Sequence, residues 1–402
     1  MTQNDRHVLF ISNGNGEDEI ACRVIAALRR IAPKGLILEA WPMVGLGAAY
    51  RALSVPVKGP ANLLPGEGFG TLSFSALFRD LQAGFIATHL NQARHARAQR
   101  GRHDLLVGVG DVVPLASGWL ARTPMAFIAC AKTAYYGGVD GHMPLERHLM
   151  RKGCVEVFPR DKPTMEGLVR KGVSATYLGN PMMDDLPPPP SPLIGPDRLG
   201  IALLPGSRGD ATRNAAFLLT AAGIMTEKTA PQPLSFLIAC HPRVEIAEVI
   251  SALSETVWRP AGDDDLPPGS ARLVGPNGAE ALLLRQAFAA VLHSSALAVG
   301  MAGTANEQAI GLGLPLITAA GAGNQGEAYL RMKMRYFGNA AIATPRDPAA
   351  IAAAMASLLA DPARRAVMSA EGRKRMGAPG ASAAIAAALV ARLAQIAPRA
   401  LP

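Results

Sequence analysis

Short runs of β-branched and apolar residues alternate with longer stretches of helical spacing along most of this chain. That alternation confines the fold to repeated βα units around a mainly parallel sheet. In the first half, strands are predicted at 8–11, 36–41, 105–109, 125–128 and 155–158. Between the first two, Ile20, Val24, Leu28 and Ile31 fall on one helical stripe suited to packing on the sheet. The pattern stops at Gly179-Asn180-Pro181-Met182-Met183-Asp184-Asp185-Leu186 and the run Pro187 to Pro190, Ser191, Pro192. Such a stretch continues neither a helix nor a central strand. Strands resume at 201–204, 236–239, 272–274, 298–299 and 316–317. The organisation read from this is a first domain over 1–180, a linker over 181–198 and a second domain over 199–375. The Ala-rich helical tail, 376–402, either packs locally or crosses back to the first domain.

A chain of 402 residues, 49% hydrophobic, is large enough for two cores. Its four cysteines, Cys22, Cys130, Cys154 and Cys240, are too far apart in sequence to read as a metal knuckle or a redox pair, and a reduced cytoplasm is expected. Residues 1–11 lack the pattern of a secretion signal. No stretch offers the roughly 20 clean apolar residues of a membrane span, so membrane contact is expected to be peripheral. A net charge of +9 favours anionic partners. With 5% aromatics and no basic run interleaved with stacking residues, nucleic acid is not expected.

Ligands of doubly wound sheets sit beyond the carboxyl ends of the strands, which directs attention to the loops there. The first is Ser12-Asn13-Gly14-Asn15-Gly16-Glu17-Asp18-Glu19. It fails as a dinucleotide fingerprint because Glu19 stands where a third glycine belongs, and its carboxylates would repel a pyrophosphate. It is either a glycine turn with acidic helix capping or a loop offering Glu17 and Asp18 to a hydroxyl-bearing substrate held at Asn13, Gly14, Asn15 and Gly16. Asp111, at the end of Leu106-Val107-Gly108-Val109-Gly110-Asp111, is the preferred general base, although a helix N-cap explains it almost as well.

Pro205-Gly206-Ser207-Arg208 is the better phosphate candidate: a glycine turn carrying a hydroxyl and a guanidinium. In Gly300-Met301-Ala302-Gly303-Thr304-Ala305-Asn306-Glu307-Gln308, a strand runs through small residues into a helix whose first N–H groups can meet a diphosphate. There Glu307 is placed for a ribose diol, with a capping box as the alternative. Asn324 and Gln325 follow the 316–317 strand with amides suited to sugar hydroxyls, and His241 follows the 236–239 strand. Asp263-Asp264-Asp265 lies in a Pro/Gly-bounded loop, and no metal site is expected there. Two features suggest an amphiphilic acceptor or anionic lipid: the apolar loop Asn62 to Phe69 with Phe74, Leu77 and Phe78, and Arg94, Arg97, Arg100 and Arg102 beside His89, His95 and His103.

Taken together, Pro205-Gly206-Ser207-Arg208, Gly303-Thr304-Ala305-Asn306-Glu307 and Gly179-Asn180-Pro181 resemble the lipid-A-disaccharide synthase family, and within it the branch called lipid-A-disaccharide synthase-related proteins. The resemblance implies an α/β fold of GT-B type, two Rossmann-like doubly wound domains facing an interdomain cleft. It implies a UDP-sugar donor in the second domain, a lipid or other amphiphilic acceptor in the first, inverting transfer, no cofactor and no required metal. Arg208 resembles the family's diphosphate-binding arginine and Glu307 its ribose-binding glutamate. The family's Gly-Glu-x-Ser-Gly-Asp loop is matched only at Asp18, so nucleotide recognition carries over better than acceptor identity. An epimerase on the same fold and a noncatalytic nucleotide-sugar-binding protein are the alternative readings.

Overall fold

A computed structural model describes residues 5–60, 85–207, 209–226, 233–262, 265–321 and 326–398, with the backbone alone over 85–89. The chain divides into two compact units, Met1–Asp184 with Ala378–Pro402 and Asp185–Gly377.

The first unit holds five parallel strands: β1 (Arg6–Ser12), β2 (Leu36–Pro42), β3 (Leu105–Val109), β4 (Met125–Ala129) and β5 (Cys154–Pro159). Their order is β2-β1-β3-β4-β5. The helices are α1 (Asn15–Ile31), α2 (Ala48–Ala52), α3 (Phe85–Ala98), α4 (Val112–Ala121), α5 (Pro144–Gly153) and α6 (Lys162–Arg170). From β1, Val8 and Phe10 enter one core with Val24, Ile25 and Leu28 of α1. Leu9 and Ile11 enter another with Leu115, Phe127 and Leu149. Both faces of the sheet are covered, which is why these strands read as continuous apolar runs rather than alternating ones. The chain leaves β1 toward β2 on one side, and β3 lies on the other, so the topological switch point is between β1 and β3.

In the second unit, β6 (Leu199–Leu204), α7 (Ala211–Thr226), β7 (Leu234–Cys240) and α8 (Ile246–Ala252) come first. They are followed by β8 (Arg259–Ala261), β9 (Ala271–Val274), β10 (Glu280–Arg285), α9 (Phe288–His293), β11 (Leu297–Gly300) and α10 (Thr304–Leu312). The unit closes with β12 (Leu316–Ala319), α11 (Glu327–Phe337), β13 (Ala341–Thr344), α12 (Pro348–Leu359) and α13 (Pro362–Met376). The eight strands lie in the order β13-β12-β11-β6-β7-β10-β9-β8, all running parallel except β9, which pairs antiparallel with both β10 and β8. Its switch point lies between β6 and β11.

Three strands lie outside the sequence expectation: β8, β10 and β13. For β10 the cause is tertiary, because Glu-Ala-Leu-Leu-Leu-Arg favours a helix locally but its four central residues are buried beside β7. The first unit runs through Asp184 rather than ending at 180. Asp184 accepts the backbone N–H groups of Gly380 at 2.5 Å and Ser382 at 2.7 Å, which fixes the start of α14 (Ala381–Gln395). Ile385, Ala386 and Leu389 of α14 join the core that contains α1, and the Arg6 guanidinium donates to the carbonyls of Leu393 and Ile396.

The helical run Pro362–Gln395 is long and apolar enough to cross a membrane by length and composition only. Counting uninterrupted apolar residues passes over it because Arg364, Arg365, Glu371, Arg373, Lys374, Arg375 and Arg392 are interspersed. Left-handed backbone at Gly377 (φ 82°) and Gly380 (φ 109°) breaks the run into α13 and α14.

Candidate active site

At the switch point of the first unit, β1 ends in Ser12 and β3 in Val109, and the loops that follow carry the expected carboxylates. Asp111 caps α4, accepting the N–H of Val113 at 2.9 Å, so the capping alternative is realised. The same carboxylate receives the Asn13 side-chain amide at 3.2 Å to each oxygen. Glu17, half-buried in the first turn of α1, passes over two glycines. A Cβ on Gly14 would stand 2.6 Å from Glu17 Oε2, and one on Gly110 (φ +122°) would stand 2.9 Å from Glu17 Cγ. Packed protein atoms around the carboxyl group, with help from the Asp111 and Asp18 charges, push its pKa up to about 7. Arg160 pulls the other way. Burial also raises the Asp111 carboxyl. A carboxyl poised near neutrality beside a second carboxylate suits proton transfer.

Asp18 is placed differently from Glu17 and Asp111. It is 2% exposed and accepts Ser12 Oγ at 2.5 Å, and that hydroxyl also meets Tyr50 Oη at 2.6 Å. Burial, opposed by the Ser12 hydrogen bond, raises its pKa to about 6. Its geometry is that of an internal anchor for the loop. Gly14 is buried, whereas Asn15 and Gly16 are exposed. At the ends of β4 and β5, buried Arg160 donates to the carbonyl of Cys130 at 2.9 Å, and Lys132 pairs with buried Glu146 at 2.7 Å.

At the switch point of the second unit, the two phosphate candidates leave adjacent strands. Leu204 and Gly300 are register partners, and the N–H of Met301 donates to Leu204 O at 3.0 Å. The turn after β6 passes through Gly206 at φ +95°, where an added Cβ would touch Ala302 Cα at 3.8 Å. Ser207 and Thr304 are both exposed at this edge. No side chain caps α10, so the capping-box alternative is not realised and its first N–H groups are available to an anion. Asn306 instead donates to Gly300 O at 3.2 Å.

Glu307 and Gln308 are buried. Glu307 Oε1 is 2.5 Å from Lys333 Nζ of α11, a partner that the motif did not suggest. Lys333 also lies over the rings of Tyr329 and Tyr336. Exposed His241 accepts the N–H of Arg243 at 3.2 Å through Nδ1, and partial burial with Arg243 and Arg285 lowers its pKa. Arg208, Asn324 and Gln325 lie outside the described residues, as do 62–78 and Asp263-Asp264. Asp265 is exposed and paired with Arg272, and among the described residues no cluster of His, Cys, Asp and Glu could hold a metal ion.

No family model matches the chain. Over 260 residues it is 27% identical to the lipid-A-disaccharide synthase of Azoarcus sp. (strain BH72), a match that covers 61% of this chain and 60% of that synthase. Over that stretch this chain is similar to lipid-A-disaccharide synthase. It spans about three fifths of the length of that curated relative. The calicheamicin glycosyltransferase CalG4 superposes with a TM-score of 0.63 at 16% identity, covering 98% of this chain and 100% of that one. The UDP-GlcNAc 2-epimerase from Neisseria meningitidis, solved bound to UDP-GlcNAc, superposes at 0.56 and 12% identity, covering 96% and 100%. The fold of this chain is GT-B, with two Rossmann-like domains.

Three residues of the second unit carry no motif signal and emerge only from the fold: Lys333, Asn214 and Arg346. Buried Asn214 donates to Pro205 O at 3.1 Å and accepts from Arg346 at 3.2 Å. Arg346 also donates to Ala320 O and stacks on Phe217, so it braces the turn after β6 from the far side of the sheet edge.

Proposed function

We propose that the protein transfers a sugar from a UDP-sugar to a hydroxyl group of a lipid or other amphiphilic acceptor, with inversion and without a required metal. One observation carries this reading: two turns, 205–207 and 301–304, leave neighbouring strands at a switch point with Ser207 and Thr304 exposed, and one of them opens an uncapped helix. Such a pair suits a diphosphate. The UDP-GlcNAc held by an epimerase of the same fold supports the donor class. Relatedness to lipid-A-disaccharide synthase supports a lipid acceptor.

In the proposed reaction the acceptor hydroxyl attacks the anomeric carbon from the face opposite the diphosphate. Its proton passes to Glu17 or Asp111, the new C–O bond forms, and the bond to UDP breaks with its electron pair on the diphosphate oxygen. The N–H groups of Gly303 and Thr304, with Arg208, stabilise that charge where preorganised donors act most strongly. Glu307 takes the ribose, with Asn306, Gln308, His241, Asn324 and Gln325 around the nucleotide sugar and Asn13 to Gly16 around the acceptor. The proposed setting is the cytoplasm, in peripheral contact with an anionic membrane face.

The test is incubation with UDP-N-acetylglucosamine, alone and with a bacterial lipid extract, in the presence of a chelator. UDP release that depends on the extract, together with a glycolipid product, is expected. Conversion of the nucleotide sugar without acceptor would establish the epimerase reading, and absence of UDP binding by calorimetry would overturn both.

A further inference from the structure

In a parallel βα unit each helix ends at the edge where the next strand begins, so α3, α4, α5 and α6 all finish at the amino edge of the first sheet. Their ends adjoin one another. Arg100 Nε donates to Leu120 O at 3.1 Å, joining α3 to α4. A Cβ on Gly153 would stand 3.6 Å from Trp119, joining α4 to α5, and one on Gly172 would stand 3.7 Å from Arg151, joining α5 to the chain after α6.

Exposed cations are concentrated along this rim: Arg97 and Arg100, Arg122, Arg151 and Lys152, and Arg170 and Lys171. From 90 to 172 the only exposed acid is Glu166. Asp104 and Glu156, beside the same edge, are buried and paired with Arg6 and Arg392. Cations at helix C-termini answer the helix dipoles. The dipoles do not explain why Trp119 is 48% exposed and Val169 49% exposed among them. Of the three tryptophans, Trp41 and Trp258 are buried. Indole and aliphatic groups set among arginines and lysines match an anionic bilayer surface, where rings enter the headgroup layer and long cationic side chains reach the phosphates.

The geometry points to this amino-edge rim of the first unit as a docking surface for an anionic lipid bilayer, with Trp119 as its inserted anchor. The inference rests on the peripheral membrane contact proposed above, for which it names the surface; the charge and exposure of the rim carry it independently of the glycosyl-transfer chemistry.

The full chain should cosediment with vesicles of phosphatidylcholine mixed with phosphatidylglycerol, lose binding at high salt and ignore pure phosphatidylcholine. Binding should shift tryptophan emission to the blue, and Trp119→Phe should abolish that shift. Replacing Arg151 and Lys152 by Gln should weaken binding roughly thirtyfold, and adding Arg170→Gln and Lys171→Gln should weaken it by about that factor again. Unchanged thermal unfolding and UDP calorimetry would show that these variants are folded. No vesicle binding, binding without a Trp119 shift, full binding by the fourfold variant, or preference for an RNA oligonucleotide over the vesicles would overturn the assignment. Failure of the wild type to bind UDP would instead count against the proposed function alone.

Discussion

Glu17 Cγ lies 2.9 Å from the point where a β-carbon on Gly110 would be, and the backbone there has a φ of +122°. The loop after β3 therefore accepts Glu17 only because residue 110 has no side chain. Gly110→Ala is expected to destabilise the protein by about 1–3 kcal/mol, from backbone strain and displacement of Glu17 together. It should also lower turnover more than Glu17→Asp does. Urea unfolding with parallel assays checks both, and a fully active, equally stable variant would remove Gly110 from the argument.

The raised pKa of Glu17 makes stability depend on pH with a definite sign. Between the ordinary value of 4.5 and about 7 the folded chain holds a proton that the unfolded chain has lost. Stability should fall as pH rises through that window and level off above it. Asp18, raised to about 6, acts in the same direction. Glu17→Gln should be more stable than wild type by about 2 kcal/mol near pH 8, with the difference vanishing near pH 4. Its rate profile should also lose an acid limb centred near neutrality. A variant equally stable at both pH values would contradict the burial argument.

Lys333 and Glu307 form a nearly buried pair, with side chains 12% and 3% exposed. Removing one partner strands the other charge, so Lys333→Met should cost about 3–5 kcal/mol. The double variant Lys333→Met with Glu307→Gln should recover most of that loss. A double-mutant cycle by chemical denaturation measures the coupling. Losses that simply add would mean the pair does not act as a unit.

Local signals carried the strand and turn chemistry well. Continuous apolar runs exposed the doubly covered strands, and glycine-bearing strand ends marked both switch points, because those signals are written within a few residues of one another. What escaped depended on distance along the chain. Nothing near Glu307 announces Lys333, 26 positions away, and nothing near Pro205 announces Asn214 or Arg346. The segment 280–285 reads as helix until β7 is placed beside it. Asp111 fitted two local descriptions, base and cap, and the fold satisfies the cap while leaving its carboxylate beside Glu17. Asp18 matches the family's loop aspartate in sequence, yet Ser12 and Tyr50 draw it inward.

Asn214 links the turn after β6 to Arg346, receiving from the guanidinium at 3.2 Å and donating to Pro205 O at 3.1 Å. Because Asn214 is 1% exposed, Asn214→Ala leaves a buried carbonyl unsatisfied and should cost about 1–3 kcal/mol of stability. The same change frees Pro205 and Gly206 to move away from Ala302. UDP affinity should therefore fall about tenfold, the scale of one lost preorganised contact. Arg346→Lys keeps the charge but cannot bridge Asn214 and Ala320 together, and should fall between wild type and Asn214→Ala. Calorimetry with UDP on both variants, at a temperature where each remains folded, decides the matter. Wild-type affinity in Asn214→Ala would mean that the turn after β6 holds its shape without this brace, or takes no part in binding the nucleotide.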